Sequence, residues 1–250
     1  MIDIAKFEID DQLCIGCSRC IKVCPGQLLY LNEEYHCRRA APDENHPCWR
    51  CQHCLAVCPR GAIQIFGRDP EDSRDPVSRE DASYVLDTLI LNRRSHRRFL
   101  NREVDSAMIR FLIDLLSNAP NYRNRQSVEF TLVDRADQMI RIREDLSSEI
   151  ASLFGNAPCL LVPHSPAGEL YAEFDQMTAA TYFELLCASR GLGAVLVPFP
   201  KNSAVRTVLG IPPDHITSMM IGFGWPEIPY ARSVQRRVGD TRIHRPKTES

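Results

Sequence analysis

No stretch of this chain stays apolar long enough to cross a bilayer. Its formal net charge of −2 supplies no field to draw it to nucleic acid or to an anionic membrane. Neither partner is expected. The opening residues, MIDIAKFEIDDQ, lack the basic start and apolar run of a secretory signal, so a reducing cytoplasm is the expected compartment. Lysine is scarce beside arginine, which favours planar, bidentate partners such as phosphate wherever the arginines cluster. A Walker-type phosphate loop and a G-x-G-x-x-G are both missing. Cysteine is almost absent after residue 58, where only Cys159 and Cys187 occur, in apolar contexts that suit buried structural thiols. The 250 residues, 44% of them apolar, allow one large domain or two modest ones.

What is present is concentrated. Nine of the eleven cysteines lie between Cys14 and Cys58, a density that in a cytosolic chain points to metal rather than disulfides. They form a repeat: CIGCSRCIKVCP from Cys14 and CWRCQHCLAVCP from Cys48. Each copy is followed by a strand-like apolar stretch, GQLLYL or RGAIQIF. Neither copy is large enough to fold alone, so the pair should pack around what the cysteines hold. A Cys-x2-Cys-x2-Cys loop places three thiolates on one face of a cubane cluster, and a fourth cysteine followed by proline serves the other cluster in bacterial two-cluster proteins. Zinc sites instead pair two Cys-x2-Cys knuckles across a longer stretch. Pro25 and Pro59 should end the short helices that follow the ligand loops.

Residues 1–66 closely resemble the bacterial two-cluster ferredoxin family. The resemblance implies one 4Fe–4S cluster on Cys14, Cys17, Cys20 and Cys58 and a second on Cys48, Cys51, Cys54 and Cys24. The connection between the repeats is longer than a minimal ferredoxin's and carries Cys37. With four ligands already available to each cluster, Cys37 reads as a spare thiol near the surface. His36, His46 and His53 read as surface or packing residues.

Residues 67–80, GRDPEDSRDPVSRE, have two Asp-Pro pairs and almost nothing apolar, the composition of a linker. Beyond it SYVLDTLILN, SAMIRFLIDLLSN and TAATYFELLCAS carry helical periodicity, while EFTLVD, APCLLVP, GAVLVPF and MMIGFG read as strands. Residues 81–250 are expected to form an α+β domain.

NRRSHRRF, residues 92–99, puts Arg93, Arg94, Arg97 and Arg98 around Ser95. Such guanidinium forks match phosphate oxygens, although a charge run of this kind is as often a solvated helix end. NAPNYRNRQSVEF, SRGLGAVLVPF and IGFGWP with a later arginine pair follow in order. The ordered set resembles the FMN-dependent nitroreductase family over most of residues 84–240. That resemblance implies a sandwich-like α+β domain after the small ferredoxin-like one. It also implies FMN held by Arg93, Arg94, Ser95 and Arg97 at phosphate and ring edge, and by Pro120, Asn121, Tyr122 and Asn124 along the ring and ribityl chain. Gly191 and Gly193 match the turn that brings backbone to the ring, and Arg236 or Arg237 the late phosphate contact. Two places depart from the family pattern. Ser127 and Val128 stand where Pro-Trp is usual, and Pro198, which has no N–H, lies where a backbone donor to the flavin is expected, so either Val197 or Phe199 donates or the register differs.

A homodimer, with each FMN bound by residues of both chains, is likewise implied. The expected activity is reduction of a nitroaromatic, quinone or other electron-poor small molecule. Electrons would come through the clusters from an external one-electron donor such as ferredoxin or flavodoxin. Two alternatives are a flavoprotein that oxidises NAD(P)H and sends electrons out through the clusters, and a tethered electron carrier without enzymatic activity.

Overall fold

The computed structural model describes residues 6–73, 78–200, 204–236 and 239, with only the backbone at 79, 136 and 149. The early elements are β1 (Phe7–Ile9), α1 (Arg19–Val23), β2 (Leu29–Leu31), β3 (Cys37–Arg39), α2 (His53–Val57) and β4 (Ile63–Ile65). β1 pairs antiparallel with β4, Phe7 opposite Ile65, and β2 with β3, Leu31 opposite Cys37. The repeat is visible in the backbone. α1 and α2 each have five residues, each follows a left-handed residue (Ser18, φ 60°; Gln52, φ 57°), and each gives way at a Cys-Pro step. Their core is Leu29, Leu55, Ile63, Ile65 and Phe66 together with Cys20, Cys37 and Cys54. So little hydrocarbon is a weak basis for folding, and what the sulfurs hold must supply the rest.

The remaining elements are α3 (Arg79–Asn92), α4 (Ser106–Leu115), β5 (Glu129–Val133), α5 (Ala136–Asp145), α6 (Ser148–Phe154), β6 (Cys159–Pro166), α7 (Ala172–Ser189), β7 (Gly193–Pro198), α8 (Val205–Val208), β8 (His215–Ile216) and β9 (Met219–Gly224). Side-chain caps start the first two helices. The Ser78 hydroxyl accepts the Asp81 N–H, and the Asp105 carboxylate accepts those of Ala107 and Met108. The sheet runs β5-β6-β9-β7, antiparallel throughout, with β8 beside β6.

Strand periodicity divides the core between the two faces of this sheet. Cys159, Leu161, Ala194, Ile221 and Phe223 join Ile109 and Leu112 of α4 and Phe183 and Cys187 of α7. Leu160, Val162, Val195, Val197 and Met220 join Met139 and Ile142 of α5, Phe154 of α6 and Val205 of α8. Burial on both faces explains why these strands read as continuous apolar runs rather than alternating ones. The chain thus has the expected α+β architecture, a helix–sheet–helix sandwich following a small ferredoxin-type unit.

Candidate redox centres

The cysteines come together as the repeat requires. Cys14, Cys17, Cys20 and Cys58 line one cavity. Burial raises the Cys54 thiol to about 11, and the charges that push it further are those of Cys51, Cys24 and Cys48, the other expected set. Thiols held this high stay protonated until a metal displaces the proton. A tetrahedral zinc with bonds of about 2.3 Å needs sulfurs about 3.8 Å apart. Among the described residues the cysteine sulfurs form no group of three within 4.8 Å of one another, a spacing wider than that of a tetrahedral site. Backbone donors already face the sulfurs. The Cys37 N–H reaches Cys14 Sγ at 3.4 Å and the Ala62 N–H reaches Cys58 Sγ at 3.3 Å, contacts of the kind that tune cluster potential.

Cys37 corrects the sequence reading. It is not near the surface: only 2% exposed, it opens β3 and shares the cavity of the first cysteine set, its Sγ 3.4 Å from Cys20 Sγ. Burial pushes its thiol far above the ordinary range, and the Cys20 contact pushes it further. Sequence could not reveal this, because burial here depends on β3 folding back across the first loop.

The arginine motif lies beside the sheet edge. Ser95 bridges Ala194 of β7, the His96 N–H donates to the Ala194 carbonyl at 3.0 Å, and Asn156 exchanges two hydrogen bonds with the Phe99 backbone. Arg93 pairs with Glu184 of α7, Nη1 to Oε1 2.7 Å. Arg94 is buried, donates one Nη1 bond to the Arg93 carbonyl, and leaves Nε and Nη2 without a partner. Buried cationic donors of this kind require an acceptor, and a phosphate or a comparable anion supplies one. Arg97 is exposed. Arg93, Arg94, His96, Glu184 and Gly191 line one cavity. Gly191 is left-handed at φ +74°, and a Cβ on Gly193 would stand 2.6 Å from the His96 ring. His96 and Glu184 carry no motif signal in the sequence, and the fold alone assigns them to this cavity.

Pro120 and Asn121 line a different cavity, with Asp175 and Ala179 of α7. Asp175 and Glu184 are nine residues apart on that helix, which at 1.5 Å per residue separates the two groups by about 13 Å. The amide loop is built by its own side chains. Asn121 Oδ1 accepts the Gln126 N–H at 2.9 Å, Gln126 Nε2 donates to the Ser117 carbonyl, and the Asp175 carboxylate accepts the Tyr122 N–H. Burial raises the Asp175 carboxyl, an effect the Tyr122 bond opposes. Asn124 turns away from this cavity, and its Nδ2 donates to the Arg50 carbonyl at 3.1 Å. Phe199 is not a free donor, since its N–H bonds the Ser218 carbonyl at 3.0 Å. Arg236 is exposed, while Arg237 lies outside the described residues.

Cys159 and Cys187 are buried in β6 and α7, and burial lifts Cys159 to about 12, so neither is a nucleophile. His164 and His215, both buried, face each other through Nδ1 atoms 2.9 Å apart, and His164 Nε2 meets Thr131 Oγ1 at 3.1 Å. Exposed Glu129 completes the group of three. Burial lowers the His164 pKa, and the His215 and Arg206 charges lower it further against the opposing pull of Glu129.

Two cysteine loops packed together and a sandwich with an unpaired buried guanidinium are the features of a redox protein of flavin-dependent oxidoreductase type. The nitroreductase family model matches residues 90–153 and 149–225, and the chain belongs to that family. A model described as a 4Fe-4S dicluster domain matches residues 13–62. Over 61 residues the chain is 40% identical to an uncharacterised ferredoxin of Methanocaldococcus jannaschii, covering 24% of this chain and 77% of that one. Over 60 residues it is 35% identical to adenylylsulfate reductase subunit beta of Megalodesulfovibrio gigas, covering 22% of this chain and only 35% of the relative. A solved protein of Bacteroides thetaiotaomicron, described as an NADH dehydrogenase/NAD(P)H nitroreductase by assignment only, superposes with a TM-score of 0.57 at 23% identity, over 66% of this chain and 98% of that one. A nitroreductase of Bacteroides fragilis, solved with bound FMN, superposes with a TM-score of 0.55 at 19% identity, over 64% and 98%. No helix among the described residues is long and apolar enough to cross a membrane.

Proposed function

We propose that residues 1–66 hold two 4Fe–4S clusters that relay single electrons to an FMN bound by residues 81–250. The product of that relay is a two-electron reduction of a nitroaromatic, quinone or other electron-poor conjugated compound. The observation that carries the reading is Arg94, a buried guanidinium with two unpartnered nitrogens in the RRS turn, in a chain that also gathers Cys14, Cys17, Cys20 and Cys58 around one cavity. FMN, when bound, exchanges electrons singly with the clusters and in pairs with an organic acceptor. Arg93, Arg94, Ser95 and Arg97 would hold its phosphate, and Glu184 orients Arg93. Gly191 supplies the left-handed turn, and Gly193 leaves room for the His96 ring beside that cavity.

The amide loop, with Pro120, Asn121 and Tyr122, would complete the site from the second protomer of a homodimer, while the sequence-expected Asn124 instead braces the loop against the Arg50 carbonyl. Two features support this: the separation of the two cavities along α7, and the exposed apolar residues Tyr84, Val85, Leu86, Ile90 and Leu91 on α3 with Phe174, Met177 and Tyr182 on α7.

Replacing Arg93 and Ser95 by alanine should release FMN and leave cluster absorbance intact; unchanged flavin content would overturn the phosphate assignment. The solved relative's description as acting with NAD(P)H supports a second direction of flow, outward through the clusters. Mixing anaerobic protein with NADPH or with reduced ferredoxin separates the two. Rapid flavin bleaching by NADPH favours outward flow, and bleaching by ferredoxin favours inward flow.

A further inference from the structure

We infer that the second cysteine loop, Cys48–Cys51, is the port through which electrons reach the flavin domain. Trp49 and Arg123 position that junction, and the first loop, around Ile15, faces the external redox partner. The inference rests on the function proposed above.

The repeat provides an internal control. Ile15 and Trp49 occupy the same place in the two loops, as do Gly16 and Arg50, and Ser18 and Gln52. The backbone is alike at both: Gly16 and Arg50 are left-handed at φ 65° and 55°, Ser18 and Gln52 at 60° and 57°. Wrapping a cluster therefore dictates the conformation, and the differing side chains answer to something else. In the first loop the left-handed position holds glycine, the residue that tolerates it best, and a Cβ there would sit 2.6 Å from the Tyr35 carbonyl oxygen. Ile15 is 63% exposed and Cys17 is also exposed. That face is open.

The second loop is docked. The Arg50 carbonyl accepts the Asn124 side-chain N–H at 3.1 Å. The Arg123 guanidinium lies over the Trp49 indole, 5.6 Å from its centroid, and over the Tyr122 ring at 5.3 Å. Backbone strain is concentrated on the facing loop as well: Arg123, Asn124 and Gln126 are left-handed at φ 49°, 53° and 52°. Non-glycine residues persist in that conformation only where surrounding contacts enforce it, and such positions gather at functional sites. Here a cluster-binding loop and the loop expected along the flavin hold each other in place. Electron transfer falls steeply with separation, so the docked loop is the one suited to it.

The balance is simple. With clusters and FMN bound, the first loop would receive one electron from a reduced ferredoxin or flavodoxin, and the docked loop would deliver it toward the flavin. Two such transfers, with two protons from solvent, reduce the flavin by one pair and return both clusters to their oxidised form.

The test uses holoprotein carrying clusters and FMN, mixed anaerobically with reduced ferredoxin while flavin absorbance is followed. Trp49→Ala and, on the other side of the junction, Arg123→Gln should each slow flavin bleaching several-fold at saturating donor. Iron and sulfide per chain should stay unchanged, and the rates are compared per bound flavin. Ile15→Asp should raise the donor concentration needed and leave the saturating rate alone. Wild-type saturating rates in both junction variants, or a lowered saturating rate in Ile15→Asp alone, would overturn the port assignment. A wild-type protein that binds no flavin, or whose flavin never bleaches after its clusters are reduced, would overturn the proposed function instead.

Discussion

Arg94 is the residue on which the flavin reading turns. Its two unpartnered nitrogens make Arg94→Gln a sharper probe than removal of the exposed Arg97. Hydrogen bonds to a charged acceptor are worth enough that FMN affinity should fall by about tenfold to a hundredfold, as measured by fluorescence titration. Cys37→Ala tests the opposite expectation. Cys37 touches Cys20, yet four other cysteines serve each proposed cluster, so iron and sulfide per chain should not change; a fall would make Cys37 a ligand. His164 has a pH signature. Its folded pKa lies below the ordinary histidine value, so the unfolded chain binds the extra proton, and stability present above about pH 6.5 is lost as pH falls below it. His164→Gln should flatten the dependence of the denaturation midpoint on pH over that window. The eight cysteines and the arginine run were legible because their chemistry lies in local spacing. Glu184, Asp175 and the depth of Cys37 were not, since each depends on residues well separated along the chain.

At the scale of elements, the apolar-rich helices α3, α4 and α7 and the apolar strands β5, β6, β7 and β9 were readable, and those missed are short or largely polar. α5 buries little more than Met139 and Ile142, α8 has four residues, and β8 has two. β8 extends β6 by pairing beside it, while α5 and α8 cover the second face of the sheet. That face also fixes the C-cap of α6. Gly155 has φ +59°, and a Cβ there would overlap the Arg97 carbonyl oxygen at 1.8 Å. Gly155→Ala should therefore destabilise the fold by more than about 2 kcal/mol. It should also loosen flavin binding, because the strain falls on the arginine motif; denaturant melts with flavin quantification would show both losses together.

At the scale of the whole molecule, the apolar face of α3 predicts association. Sedimentation should give a dimer, and Leu86→Glu with Ile90→Glu should yield a monomer that retains iron and loses FMN. The bond between Asn124 and Arg50 joins positions 74 residues apart, and through it the two cofactor sites share one mechanical fate. Iron starvation or air damage that collapses the cysteine loops also withdraws a support of the amide loop. Chelating the iron should then hasten flavin escape, so that a damaged molecule falls silent as a whole and does not linger as an uncoupled flavoprotein leaking electrons to oxygen.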